Sequence, residues 1–243
     1  MEYLYLKKNL ENFIGSLLLI NNGFQDFKAD GTTSDGQSYL QTIGTHLEYK
    51  AGDFGSMANA YIQTGQQQGA LDVNGAFLLG LDLSYKAFEN IGFIAGAEVQ
   101  SGNGPGTTGK THAFFPLYGT NHKFNWFMDY FYVGNHANSI GLVDAHIGAN
   151  MKLAEASNLL VNVLNFHGQQ KLPSGDKSLG TEVDLVFTQN FKGFDFQLGY
   201  SQLFATKGMY ELKGTTEEFA ANTQNWAWAM LTLKPKFLNT SKD

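Results

Sequence analysis

Apolar residues recur at every second position in successive segments of about ten residues, and this alternation constrains the fold more than any other feature of the sequence. In segment 77–85 every odd position is apolar, whereas the even positions include Gly80, Asp82 and Ser84. Segments 143–152 and 194–201 show the same pattern. Because strand side chains point alternately to two faces, each segment predicts a strand with one apolar face and one wet face.

Eleven strands are predicted, and they cover 3–8, 13–22, 39–50, 57–66, 77–86, 93–101, 143–152, 159–168, 181–191, 194–201 and 226–236. Short turns near 10–12, 52–55, 88–90, 154–156 and 193 alternate with long polar loops at 23–37, 67–74, 102–138, 169–178 and 205–224. Outer-membrane barrels combine short periplasmic turns with long extracellular loops. The sequence therefore predicts an all-β fold, a transmembrane antiparallel up-and-down β-barrel domain over 1–238, followed by a periplasmic tail at 239–243.

Composition supports a membrane location. Charged residues make up 16% of the chain, compared with roughly 25% in soluble domains. The apolar runs, such as 16–20, are far shorter than the ~20 residues that a spanning helix needs, which leaves a closed barrel as the spanning structure. Aromatic–lysine pairs at 49–50, 85–86 and 191–192 suit the interfacial belt of a barrel. A soluble β-sandwich with aromatic strand ends is the competing interpretation.

The strand count suggests that further strands precede the chain. A complete single-chain bacterial barrel has an even number of strands and both ends in the periplasm, whereas eleven strands place the first residue outside. We expect the missing strands upstream, and we expect this piece alone not to form a conducting channel because its sheet would expose two edges to lipid. A ten- or twelve-stranded barrel with one strand miscounted is the alternative.

Residues Gly104–Thr111 match the G-x-x-x-x-G-K-[ST] phosphate loop at every position. That loop binds phosphate because a helix begins at its lysine and presents backbone N–H groups to the anion. Here Pro116 and Gly119 follow within two turns, so we expect no helix and no nucleotide. The segment is interpreted as the start of a long extracellular loop.

The run Phe114–Tyr132 with Gly141–Asp144, and the run Gly15–Gln25, resemble the alginate-export family of outer-membrane porins. The resemblance implies an eighteen-stranded barrel, of which this chain would be the C-terminal portion. The best-known member of the family exports an anionic polyuronate through an arginine-rich constriction. All sixteen basic residues of this chain are lysine, so we expect its cargo to be cationic or neutral.

The wet faces of the strands supply the predicted pore lining, which comprises Glu48, Asp82, Lys86, Glu98, Asp144, His146, Lys152, Glu182, Asp184 and Asp195. The lysines among them lie near the periplasmic rim, so the remaining lumen is expected to be acidic. In the longest loop, a constriction or a solute-stacking surface is predicted at Phe124, Trp126, Phe127, Asp129 and Tyr130. The same rings could instead form a hydrophobic cluster that packs the loop down.

No catalytic chemistry is predicted. Glu182 and Asp184 share a strand face, as do Asp144 and His146, and such pairs can act as acid and base, but a lumen wall carries polar residues simply because it is wet. The six histidines lack the spacing of metal ligands, and no cofactor is expected. With a net charge of −6 and no arginine, nucleic acid is not an expected partner.

The expected function is passive diffusion or export of a small hydrophilic solute, possibly a carbohydrate, across the outer membrane. The alternative is a barrel-anchored surface protein that binds or adheres through the aromatic loop. Outer-membrane lipid is an expected partner. The barrel-assembly machinery is another, because 226–237 resembles an aromatic-ended closing strand. Pro235 lacks the N–H that a ladder position needs, so strand pairing is expected to end before it.

Overall fold

The structure is a computed structural model that describes residues 1–118, 126–131, 136, 139–216 and 223–235. Its strands are β1 Glu2–Asn9, β2 Phe13–Phe27, β3 Ser34–Ala51, β4 Phe54–Gln67, β5 Leu71–Phe88, β6 Ile91–Gln100, β7 Lys110–Thr111, β8 Leu142–Ala154, β9 Ser157–His167, β10 Ser178–Phe191, β11 Phe194–Ala205 and β12 Thr223–Leu233. A short helix, α1, covers Lys207–Leu212. All strands except β7 form one antiparallel sheet in chain order.

The eleven predicted strands are confirmed, but several extend further than predicted. The loops predicted at 23–37 and 67–74 are wrong, because Phe27 still pairs with Ser34 and Gln67 still pairs with Leu71. The connections there shrink to 28–33 and 68–70. These strand ends contain glycine, serine and aspartate, a composition typical of loops, yet their backbones continue the ladder. Helix α1 likewise occupies part of the loop predicted at 205–224.

One face of the sheet is apolar and exposed. On β5, Leu79, Leu81 and Leu83 are 51%, 49% and 42% exposed, as the alternation predicted. At the short-turn end this face carries cross-strand aromatic pairs, such as Phe54 opposite Tyr85. Such a face suits the hydrocarbon of a bilayer, and rings at its margin suit the interface. The described part of the chain contains no helix with the length and hydrophobicity needed to span a bilayer.

The sheet has two ends, because the strand order runs from β1 to β12 and no pairing among the described residues joins these two strands. At the second end, β12 stops at Leu233, which confirms that pairing ends before Pro235. The predicted tail at 239–243 lies outside the described residues. The total of eighteen strands stays a prediction.

The segment that matches the phosphate loop adopts a different structure. Lys110 and Thr111 form β7, which pairs in parallel with Asp72 and Val73 at the start of β5. The Thr111 hydroxyl lies 3.0 Å from the Asn103 amide nitrogen, and no helix begins in the described residues 110–118. The expectation of no helix is therefore confirmed, and the N–H cradle that phosphate binding requires is not formed there.

Candidate functional site

The strand register places all ten predicted pore-lining residues on the face opposite the exposed apolar one, here called the inner face. Asp82 lies opposite Gly96, which lies opposite His146, and Glu98 lies opposite Asp144. Directly opposed residues of an antiparallel pair share a face. The remaining residues of the set follow the same parity: Glu48, Lys86, Lys152, Glu182, Asp184 and Asp195. Their role in lining a pore stays a prediction.

A histidine joins two of these carboxylates across the middle of the sheet. The His146 Nε2 atom lies 2.8 Å from Asp82 Oδ1, and its Nδ1 atom lies 3.3 Å from Asp144 Oδ1. Gly96, which lies between them, leaves room for the Asp82 and His146 side chains to meet, because a Cβ at position 96 would lie 2.1 Å from the Asp82 carboxylate. The Asp82 side chain is 21% exposed, whereas that of Asp144 is 5% exposed. Asp82 is therefore the more accessible carboxylate of this group.

The long loop between β6 and β8 enters the inner face, and its residues 126–131 cover the buried carboxylates. The Trp126 indole N–H donates to Asp144 Oδ2 at 2.5 Å, and the Met128 backbone N–H donates to Glu182 Oε1 at 3.2 Å. The Trp126 ring also meets the His146 ring edge-on at 5.0 Å. Trp126 has φ of +70°, a conformation that costs a non-glycine residue energy. Side-chain contacts on the wall hold it there.

Other aromatic residues of segment 126–131 pack against the same wall. The Phe127 ring lies 6.1 Å from that of Trp228 on β12, and the Phe131 ring lies 4.8 Å from that of Phe166 on β9. An apolar cluster surrounds them, with buried members Phe131, Leu142, Leu164, Phe166, Leu172, Leu179, Leu203 and Met209. The segment thus enters the inner face and also forms a hydrophobic cluster, so the two interpretations of the loop are compatible.

The predicted stacking residues are largely engaged in these contacts. Trp126 binds Asp144, Phe127 packs on Trp228, and Tyr130 joins the apolar cluster. Asp129 lies in the same segment with φ of +55°, and Phe124 falls outside the described residues. A role for these rings in binding solute stays a prediction.

Residues 113–118 of the same loop cover the other half of the inner face. The Phe115 backbone makes two hydrogen bonds of 2.8 Å with the Gln63 side-chain amide on β4. Phe114 packs into a second cluster with Leu40, Val73 and Ala76. The loop therefore contacts both halves of the inner wall.

Charged residues near the short turns are partly paired. The predicted lysines Lys86 and Lys152 lie beside these turns, as does Lys50, and the backbone N–H of each is bonded to a carbonyl of a neighbouring turn. The Asp195 carboxylate forms an ion pair with Lys234, whose Nζ atom lies 2.5 Å from Asp195 Oδ2. Negative charge consequently dominates the middle of the inner face, and basic groups lie at its end.

Sequence reasoning missed several inner-face residues. His46 bridges Glu48 at 2.9 Å and Asn59 at 2.7 Å, and its parity with Glu48 could have identified it. The same parity argument would have identified Gln63 and Trp228. Met128 contributes a backbone N–H, for which the sequence contains no signal.

Two basic groups are shielded where the long loop meets helix α1: His136 lies in the loop and Lys213 lies in the turn that follows the helix. Burial, together with nearby Lys213, lowers the pKa of His136 to about 4, despite its hydrogen bond to the Gly141 carbonyl. Burial lowers the pKa of Lys213 to about 8. The Lys213 ammonium lies over the Phe131 ring and donates to the Tyr130 carbonyl. These contacts tie helix α1 and its following turn to the loop.

A sheet of up-and-down strands with an exposed apolar outer face, a polar inner face and an inward loop defines the class of outer-membrane porin-type β-barrels. A solved structure bears out this fold class. Acinetobacter baumannii OccAB4, an outer-membrane porin, superimposes with a TM-score of 0.52 at 16% identity, over 94% of this chain and 53% of its own. This chain thus spans about half the length of OccAB4.

The NanC porin matches with a TM-score of 0.44 at 7% identity, over 96% of this chain and 98% of its own. No protein-family model matches the sequence. No curated protein matches it either.

Proposed function

We propose that this chain forms part of an outer-membrane channel through which small hydrophilic solutes diffuse without chemical change, and that its lumen favours cationic over anionic solutes. The observation that carries the proposal is the inner-face group of Asp82, Glu98 and Asp144, which lies beneath a loop that narrows the space in front of it. Rings of charged side chains at a constriction set the selectivity of such pores.

The distribution of charge supports the cation preference. The only basic side chain in contact with Asp82 and Asp144 among the described residues is His146. The lysines of the inner face lie at the short-turn end. Carboxylates at the constriction would repel an anion, whereas they would attract a cation.

The position of the loop supports a channel over the adhesion alternative. Phe127, Tyr130 and Phe131 pack against the inner wall, so in the described segment they form no display surface outside the barrel. The resemblance of 114–132 to the alginate-export family is consistent with carbohydrate transport. The lack of arginine argues against a polyanionic cargo.

Planar-bilayer recordings test the proposal on protein extracted from the outer membrane with any partner strands it has there. We expect discrete conductance steps and, in a KCl gradient, a reversal potential of the sign that cation preference produces. Asp82→Asn should reduce this preference because Asp82 is the exposed carboxylate of the group. Asp35→Asn, which removes the same charge from the exposed start of β3, is the matched control and should leave it unchanged.

Anion preference, or a membrane protein with no conductance steps, would contradict the proposal. The second outcome would favour the anchored adhesion role. Osmotic swelling of vesicles in neutral sugars provides an independent measure of uncharged solute flux.

A further inference from the structure

The end of the sheet near the short turns is rich in lysine. One lysine lies at this end of each strand that runs toward it: Lys7, Lys50, Lys86, Lys152, Lys192 and Lys234. Within this set, and among the described residues, only Lys234 forms an ion pair, with Asp195. Because the middle of the inner face is acidic, the wall passes from negative to positive charge toward the short turns.

This change of charge occurs within two residues on strands β3 to β5. Glu48 and Asp82 lie opposite the same residue of β4, so two carboxylates share one row across the strands. In the next inner-face row toward the short turns, Lys50 lies opposite Gly55, which lies opposite Ser84. An acidic row and a row with an ammonium and a hydroxyl group are therefore about 7 Å apart along the strands.

A hollow of about 540 Å³ lies where the two rows meet. Its wall includes both rows, together with the turn that precedes β2. Gly55 makes room for the Ser84 hydroxyl, because a Cβ at position 55 would lie 2.5 Å from Ser84 Oγ. Small-molecule sites in proteins commonly have volumes of about 300–1,000 Å³, so the hollow is large enough for a small solute.

Four charged side chains line the hollow: Glu11, Glu48, Lys50 and Asp82. Glu48 and Asp82 each give one carboxylate oxygen to a histidine, at 2.9 and 2.8 Å. Lys50 and Glu11 are exposed, and neither forms an ion pair within the described chain. The hollow therefore offers carboxylate oxygens on one side and the Lys50 ammonium group on the other.

We propose that this hollow binds a zwitterionic solute, which carries both an ammonium and a carboxylate group. The ammonium group of the solute contacts the Glu48 and Asp82 carboxylates, and its carboxylate accepts from the Lys50 ammonium and the Ser84 hydroxyl. Hydrogen bonds between charged groups are stronger than those between neutral ones. The inference rests on the proposed function, since the hollow lies on the lumen wall, and it narrows the solute from any cation to one with both charges.

The positions of these groups favour a solute whose two charges are well separated. The backbones of β3 and β5 lie about 10 Å apart and the two rows about 7 Å apart, so Asp82 and Lys50 are roughly 12 Å apart at the backbone. An α-amino acid carries its charges on neighbouring atoms and contacts both rows less readily. An ω-amino acid such as ε-aminocaproate carries them at the two ends of a flexible chain and fits this spacing better.

Ligand-detected saturation-transfer NMR tests the proposal on protein extracted from the outer membrane with any partner strands it has there. The probe is ε-aminocaproate, and hexylamine and hexanoate are controls of the same chain length with one charge each. The Kd of ε-aminocaproate should be roughly fivefold lower than that of either control, because each control lacks one ion pair. Glycine, a short zwitterion, should bind more weakly than ε-aminocaproate.

Variants on both sides of the hollow locate the binding. Lys50→Met and Asp82→Asn should each raise the Kd of ε-aminocaproate roughly fivefold, whereas Lys50→Arg, which keeps the charge, should not. Lys192→Met removes a lysine at another short turn, and Asp35→Asn removes a carboxylate from the exposed start of β3. Both of these controls should leave the Kd unchanged.

The proposal is overturned if ε-aminocaproate does not bind, if hexylamine binds as tightly, or if Lys50→Met leaves the Kd unchanged. Binding is measured without conductance, so its outcome is separable from that of the proposed function. Cation-selective conductance without zwitterion binding would contradict this inference alone. Zwitterion binding by a protein that does not conduct would contradict the channel alone.

Discussion

The hydrogen bond from Trp126 to Asp144 is expected to hold the long loop against the inner wall. The donor is an indole N–H and the acceptor is a carboxylate with a 5% exposed side chain. A hydrogen bond to a charged group contributes about 1.5–3 kcal/mol. Trp126→Phe keeps an aromatic side chain but removes the N–H donor, so the open form of the segment should become roughly 10–150 times more populated.

The strained backbone adds to this effect. Trp126 has φ of +70°, which costs a non-glycine residue roughly 1–2 kcal/mol. Once the N–H is lost, this cost favours release of the segment. The open population is measured as the hydrogen-exchange rate of a peptide that covers 126–131, since that rate follows local opening.

Trp226→Phe is the matched control. It is the same substitution on the inner face of β12, where the Trp226 side chain is 48% exposed, and it should not change exchange in 126–131. A double-mutant cycle of Trp126→Phe with Asp144→Asn should give a coupling energy above ~0.5 kcal/mol. Additive effects, or equal exchange in the two tryptophan variants, would refute the argument that this bond holds the loop.

Three further outcomes are expected. Gly44→Ala should lower the free energy of unfolding in urea by about 1–3 kcal/mol, because the added Cβ would lie 1.9 Å from the Tyr61 ring. Gly80→Ala is the control: its Cβ would have no atom nearer than 3.6 Å, so the free energy of unfolding should change by less than ~0.5 kcal/mol. Lowering the pH from 7 to 4 should destabilise the long loop by at most about 3 kcal/mol. The reason is that the folded-state pKa of His136, about 4, lies below its unfolded value, so protons bind the unfolded form better. Hydrogen-exchange rates of the loop measure this effect, and in His136→Gln they should lose this part of their pH dependence. Lys110→Ala should leave the melting temperature unchanged in the presence and absence of ATP, since Lys110 belongs to a strand.

Side-chain parity made the faces of the sheet predictable. Leu79 and Leu81 occupy odd positions and face outward, while Asp82 occupies an even position and faces inward. Alternation depends only on the two-residue period of a strand, so local sequence is enough. The ends of the strands were less predictable, because Ser34 and Gln67 are paired in segments whose composition is typical of loops.

The contacts of the long loop could not be predicted. Trp126 meets a carboxylate eighteen residues away in the chain, and Phe115 meets Gln63 at a separation of fifty-two. No periodicity links such positions, and the aromatic character of the loop is equally compatible with an inner or an outer location. Asp144 was identified as an inner-face residue, but nothing in the sequence indicates that its carboxylate is bonded to the loop.

The chain order of the sheet has a consequence for how the protein assembles. Hairpins with turns as short as 52–53 or 89–90 close at low entropic cost, whereas β6 and β8 must find each other across residues 101–141. The strands before and after this interval can therefore form as two blocks that join late. Residues 113–118 contact the first block and 126–131 contact the second, so this loop is expected to hold the two halves of the inner wall together.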